Sequence, residues 1–270
     1  MTSKGKVAIG LSGGVDSAVS AALLVEQGYE VTGVFLECWR EPGCRTDEDR
    51  KDALAVALSL GIPFQVLDFR KEYKAKVVDY FYSEYQAGRT PNPDVMCNKE
   101  IKFGLFYDWC LENGFDYVAT GHYAKIVFAD KPVHPDFSST DSASLPASEA
   151  YLYSRPAGHP ANRVNQAQQD CEEYFQNGAA CLLCIPKDKH KDQTYFLYQL
   201  RPEQLRQILF PIGEMTKMEV RAEARKRALP VADKPDSQGI CFIGEVNIQQ
   251  FLRERLPVKP GKVTDTRGQV

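Results

Sequence analysis

The chain has 270 residues, a net charge of −3, and is 43% hydrophobic and 26% charged, enough apolar material for one large globular domain and the start of a second. Eight cysteines scattered along it behind no charged-then-apolar leader argue against a secreted disulfide framework, and no apolar run approaches the roughly 20 residues of a bilayer span. A monomeric cytoplasmic protein with no membrane partner is expected. Acidic residues concentrate between Phe128 and Pro186, seven against three basic ones; the rest of the chain is therefore slightly positive, which leaves room for a basic face toward nucleic acid.

In chain order, Lys6 to Gly10 reads as a buried strand and Ser17 to Gln27 as a helix stopped by Gly28. Val31 to Leu36 is a second strand. A polar loop with Gly43 leads into a helix from Asp47 to Leu60, stopped by Gly61. Phe64 to Phe69 is a third strand, followed by a long helix through Tyr85 that the Gly88-Arg89-Thr90-Pro91-Asn92-Pro93 turn must end. A helix from Lys99 to Glu112 and a strand from Tyr117 to Thr120 complete the series. Alternating strands and helices indicate an α/β fold with a parallel sheet.

From Ala129 the pattern dissolves into a Ser-rich polar run, and 130–185 reads as a surface insertion. It carries Cys181-Leu182-Leu183-Cys184, a spacing that suits zinc or an iron–sulfur cluster but has only Cys171 as a further ligand, so no metal is expected. Helices return at Pro202 to Ile208 and Lys217 to Ala228. The second carries Lys217, Arg221, Arg225, Lys226 and Arg227, either a phosphate-docking face or a solvated one balanced by Glu219 and Glu223. Domain limits of 1–243 and 244–270 follow, with Leu256 to Val263 as a linker into an incomplete β domain.

Between the first strand and first helix lies Gly10-Leu11-Ser12-Gly13-Gly14-Val15-Asp16-Ser17. Adjacent glycines let backbone N–H groups converge on an anion, and the helix dipole favours negative charge there. Ser12 and Ser17 add hydroxyl donors. Asp16 beside phosphate requires a bridging cation, hence Mg²⁺. The G-x-x-x-x-G-K-[ST] pattern is absent. The loop resembles the PP-loop of ATP pyrophosphatases, which implies ATP cleaved between its α- and β-phosphates and a HUP-type, adenine nucleotide alpha-hydrolase-like domain with flanking helices. In an open parallel sheet the nucleotide sits at the strands' carboxyl ends, so Leu36 and Gly121 are candidate contacts.

Two cysteines stand apart. Cys97 follows Asn92-Pro93-Asp94-Val95-Met96, and Cys241 lies in Asp236-Ser237-Gln238-Gly239-Ile240-Cys241-Phe242-Ile243-Gly244, in shaped loops instead of core strands. Cys38, Cys44, Cys110 and Cys171 read as small buried hydrophobes. Together with Thr120-Gly121-His122-Tyr123-Ala124 and Lys191-Asp192-Gln193-Thr194-Tyr195-Phe196-Leu197, these runs resemble the tRNA-specific 2-thiouridylase family over residues 5–127 and 187–270.

The resemblance implies a tRNA-uridine 2-sulfurtransferase. ATP adenylates the C2 oxygen of a wobble uridine, Cys241 delivers persulfide sulfur, and Cys97 resolves the intermediate, or hydrogen sulfide is released as the nucleophile. Asp94 is the candidate proton-handling group. Asn92, Pro93 and Asp94 would meet the flipped base, while His122, Lys191, Asp192 and Gln193 would contact tRNA. For His122 a structural role, and for the Asp192 run a helix cap, stand beside that reading. Partners implied are the tRNAs for Lys, Glu and Gln and a sulfur-relay protein or cysteine desulfurase. The family continues into a central domain and a C-terminal β-barrel, absent here. Rival readings are a cluster-dependent thiolase, another PP-loop adenylating enzyme, and a catalytically impaired tRNA-binding fragment.

Overall fold

The computed structural model describes residues 3–40, 44–129, 180–236, 239–244, 248–253, 255–257, 265–267 and 269. Five strands among them form one sheet in the order β3-β2-β1-β4-β7, every neighbouring pair parallel. They are β1 (Lys6–Gly10), β2 (Glu30–Glu37), β3 (Phe64–Asp68), β4 (Tyr117–Ala119) and β7 (Ile208–Leu209). Strand order reverses between β1 and β4, the topological switch point at which open α/β sheets place ligands beyond the carboxyl ends.

The sheet is wrapped on both faces because its strands alternate. Val7, Ile9, Val31, Phe35 and Ala119 bury one face under α1 (Val15–Glu26), α2 (Thr46–Leu60) and α6 (Lys217–Lys226) through Val19, Leu24, Val56, Val220 and Ala224. Ala8, Val34, Leu36 and Val118 bury the other under two helical runs. The first, α3, joins Arg70–Tyr73, a π-helical stretch Lys74–Val78 and Asp79–Gln86. The second, α4, joins Pro93–Met96, a π-helical stretch Cys97–Leu105 and Phe106–Glu112.

Several expectations change. Cys97 lies inside α4, not in a loop: the Asn92 side chain accepts from the Asp94 and Val95 amides and starts the helix directly after the turn. The helix expected over Pro202 to Ile208 is a single turn, α5 (Pro202–Leu205). Ile208 instead pairs with Val118 in the sheet. The polar insertion at 130–185 lies outside the described residues except for 180–185, as do Cys171 and Gly43. Residues 180–184 are strand β6 (Ala180–Cys184), antiparallel to β5 (Lys125–Ala129). Beyond the boundary expected at 243, helix α7 (Ile248–Arg253) docks on α3: Tyr82 donates its hydroxyl to the Phe251 carbonyl at 2.6 Å and the two rings stack at 5.2 Å. Among the described residues no helix is long and apolar enough to cross a membrane.

Candidate active site

The glycine loop leaves β1 at Gly10 and enters α1 at Val15, so it joins the carboxyl end of β1 to the α1 amino terminus at the switch point. Gly13 has φ +76, and a Cβ there would strike the Asp49 backbone carbonyl, so this position requires glycine on conformational and steric grounds. The Ser12 and Ser17 hydroxyls lie 3.2 Å apart, Ser17 Oγ donates to the Gly14 carbonyl at 3.1 Å, and Ser12 Oγ accepts from the Gly14 amide at 3.3 Å. Both hydroxyls thus point into the loop. Two residues beyond β4, Gly121 presses on this cradle: an added Cβ would come within 2.6 Å of the Ser17 amide nitrogen.

Asp16 already has a cation. Lys217 Nζ lies 2.7 and 2.9 Å from its carboxylate oxygens, and the Tyr123 hydroxyl donates to it at 2.9 Å. Lys217 also reaches Asp236 at 2.8 Å, which Lys191 and Arg221 contact at 2.9 and 2.6 Å. Burial alone would raise Asp236; hydrogen bonds from Lys217 and Lys191 hold it well below the usual carboxylate range. Burial and the Asp16 charge push the Tyr123 phenol up, so it stays a donor. For Mg²⁺ the donor set is one carboxylate, which matches the usual arrangement of one or two carboxylates plus phosphate oxygens, with Lys217 in competition for it.

Cys97 and Cys241 meet with their sulfurs 3.4 Å apart. Cys97 is fully buried, while Cys241 is half-buried at the tip of a turn closed by reciprocal backbone hydrogen bonds between Ile240 and Gly244 at 3.0 and 2.8 Å. Asp94 Oδ1 accepts the Cys241 amide at 2.9 Å and Tyr73 donates its hydroxyl to the Cys241 carbonyl at 2.6 Å. The two thiols differ in acidity. Burial pushes Cys97 well up, and its proton is donated to Cys241. That hydrogen bond, helped by Lys102, draws Cys241 down to about 7 against the burial that opposes it. The arrangement sets two thiols of unequal acidity in contact.

The sequence matches the tRNA methyl transferase HUP domain family over residues 5–144 and 156–245. The chain belongs to this family. It is 44% identical over 268 residues to the tRNA-specific 2-thiouridylase MnmA of Akkermansia muciniphila, covering 97% of this chain and 62% of that protein. It is likewise 44% identical to the enzyme of the same name from Streptococcus sanguinis, covering 98% of this chain and 60% of that protein. The chain thus spans about three fifths of the length of these curated relatives. Among solved structures, the U34-tRNA thiolase NcsA of Methanococcus maripaludis overlaps 94% of this chain and 63% of that one, with a TM-score of 0.46 and 19% identity.

Most of the remaining expected site residues are held by contacts within the chain. His122 is 7% exposed, its Nδ1 lies 2.7 Å from Thr120 Oγ1 and its Nε2 3.3 Å from Lys102 Nζ. The ring is thus held in the interior, as the structural role expected beside the tRNA contact requires. Gln193 Oε1 accepts the Tyr123 amide at 2.9 Å, and Asp192 accepts from the Thr194 amide and hydroxyl at 2.9 and 2.7 Å, the capping role. Lys191 pairs with Asp236. Leu36 is buried in the core beside Cys38.

Lys217, Arg221, Arg225, Lys226 and Arg227 each engage a carboxylate of this chain, with Arg225 and Lys226 remaining largely exposed. Cys181 and Cys184 sit three apart on β6, where odd spacing sends side chains to opposite faces. No group of three metal-ligating side chains occurs among the described residues. Sequence reasoning did not single out Tyr73, Lys102 or Thr120. The motif around Cys97 contains Lys102, but nothing local marks it as facing a sulfur 139 positions on.

Proposed function

We propose that this chain is the catalytic part of a tRNA 2-thiouridine synthase. The observation that carries the reading is the 3.4 Å approach of Cys97 and Cys241, beside a phosphate loop on the same carboxyl edge of the sheet. Oxygen at C2 of uracil leaves poorly, and transfer of AMP from ATP to it makes a good leaving group and releases pyrophosphate. The loop amides with Ser12 and Ser17 would cradle the phosphates, assisted by Mg²⁺ near Asp16. A persulfide on Cys241 attacks C2 through its terminal sulfur and AMP departs. Cys97, losing its proton, attacks the Cys241 sulfur; the sulfur–sulfur bond breaks, 2-thiouridine leaves as the thiolate, and a Cys97–Cys241 disulfide remains for an external dithiol to reduce.

In this reading the substrates are the wobble uridines of the tRNAs for Lys, Glu and Gln, flipped toward Asn92, Pro93 and Asp94. A cysteine desulfurase or relay protein loads the persulfide, and the chain works as a cytoplasmic monomer. The test is nucleoside mass spectrometry of tRNA after incubation with ATP, Mg²⁺, cysteine and a desulfurase. 2-Thiouridine is expected with the intact chain and not with Cys97→Ala or Cys241→Ala, both of which still bind ATP. Thiolation that persists in either variant overturns the two-cysteine scheme.

A further inference from the structure

Cys241 has a partner that the thiol pair alone does not explain. Lys102 lies in the π-helical stretch Cys97–Leu105, and its charge acts on the Cys241 and Cys97 thiols together. In a regular α-helix residues five apart diverge by about 140°. A π turn bonds i to i+5 and brings them nearly into line, so the wider turn sets Lys102 on the face that carries Cys97. Its ammonium also lies 5.8 Å from the Phe242 ring, and Phe242, at φ +65, follows Cys241 in its turn.

His122 fixes the other side of this ammonium. A lysine ammonium only donates, so His122 Nε2, 3.3 Å away, must accept. The imidazole proton then sits on Nδ1 and is donated to Thr120 Oγ1 at 2.7 Å. Phe103 and Phe210 flank the ring, with centroids 5.9 and 6.0 Å from it. Burial and the neighbouring Lys102 charge hold the imidazole far below its usual range, which keeps it a neutral acceptor.

We propose that Lys102 is the counter-cation of the sulfur carried on Cys241, and that His122 is the positioning residue that aims it. The other groups bearing on Cys241 are the Cys97 and Cys38 thiols, the Tyr73 hydroxyl and the Asp94 carboxylate, with Glu37 and Asp68 behind Cys38. Thiolate or persulfide anion beside these carboxylates requires a cation, and Lys102 supplies it. Burial works against the Lys102 charge, yet Cys241 and Cys97 raise its pKa overall. The pocket therefore accommodates an anionic sulfur species on Cys241. This deepens the thiolation scheme and rests on it for the identity of the cargo.

The experiment follows alkylation of Cys241 by iodoacetamide across pH, read by peptide mass spectrometry, in the wild-type chain and in Lys102→Met, Lys102→Arg and His122→Leu. A nearby opposite charge moves a pKa by about one to three units. The half-maximal pH should therefore rise by at least about one unit in Lys102→Met, rise less in His122→Leu, and return toward wild type in Lys102→Arg. A wild-type profile in both Lys102→Met and His122→Leu overturns the proposal, as does a Lys102→Arg profile no different from Lys102→Met. Circular dichroism identifies any variant that fails to fold, and His122→Leu keeps the question open to refutation if Lys102→Met does. Alkylation needs neither ATP nor tRNA. A chain that makes no 2-thiouridine but shows these shifts retains the counter-cation and loses the thiolation reading; thiolation without the shifts does the reverse.

Discussion

Removing the Asp94 carboxylate should loosen the Cys241 turn without touching either sulfur. Asp94 Oδ1 accepts the Cys241 amide at 2.9 Å across 147 positions of sequence, and the Tyr73 hydroxyl holds the carbonyl of the same residue at 2.6 Å. A hydrogen bond to a charged group contributes about 1.5–3 kcal/mol net. At about 1.4 kcal/mol per tenfold, Asp94→Ala should lower the closing equilibrium of the turn about 10- to 150-fold. Tyr73 remains as the second clamp, which argues for the lower part of that range. The effective concentration of Cys97 toward Cys241 falls by the same factor. It is measured by equilibrating the chain with reduced and oxidised glutathione and quantifying the Cys97–Cys241 disulfide by mass spectrometry. Asp94→Asn keeps an oxygen acceptor without the charge and should fall between wild type and Asp94→Ala. Wild-type effective concentration in Asp94→Ala would refute the clamp. If Asp94→Asn keeps the disulfide equilibrium but makes no 2-thiouridine, the carboxylate also handles a proton, the role expected of it from sequence.

Two further predictions concern the phosphate loop. Gly13→Ala must leave φ +76 and displace the Asp49 carbonyl, so ATP affinity by calorimetry should fall at least tenfold and stability by about 1–3 kcal/mol; unchanged affinity would remove this loop from the nucleotide site. Lys217→Met takes away the cation between Asp16 and Asp236. Asp236 is held below its ordinary range by Lys217 and Lys191 despite burial, so its contribution to stability is present at neutral pH and lost as pH falls through the folded-state value. Without Lys217 that loss should begin at higher pH, and coincident acid limbs in thermal melts of the two proteins would count against the network.

The amino-terminal half was legible in sequence because its punctuation is local. Gly28 and Gly61 sit at φ +88 and +66 directly behind the first two helices, and β1 through β3 are apolar runs between such stops. Element β7 was not legible: two residues are too few for any periodicity, and Ile208 and Leu209 become a strand only by pairing with Val118 and Ala119. The same holds for β5, whose partner β6 follows after the Ser-rich stretch. Neither π segment leaves a trace, since a helical pattern of apolar residues serves both helix types. Glycines and cysteines of the site announce themselves by type. Tyr73, which meets Cys241 across 168 positions, is an ordinary helix residue until the chain folds, and Lys217, in sequence only one charge of a basic helix, meets Asp16 across 201.

The residues beyond β4 show why one short segment serves both halves of the site. Gly121, His122 and Tyr123 lie at the switch point, where β1 and β4 diverge into separate loops. Without a side chain, Gly121 lets its backbone rest against the Ser17 amide at the phosphate loop. The next two residues go separate ways. His122 reaches Lys102, whose ammonium faces the ring of Phe242 next to Cys241, whereas Tyr123 reaches Asp16, with its own amide and carbonyl tied to Gln193. A second link runs outside this segment, from Asp16 through Lys217 to Asp236, five residues before Cys241. Phosphate loop and sulfur turn are thus joined by two independent chains of contacts, one through a neutral imidazole and one through an ion network. Salt screens the partly exposed ion network far more than the buried imidazole link, so the position of Cys241 should depend on the second link mainly at low ionic strength and on the first throughout.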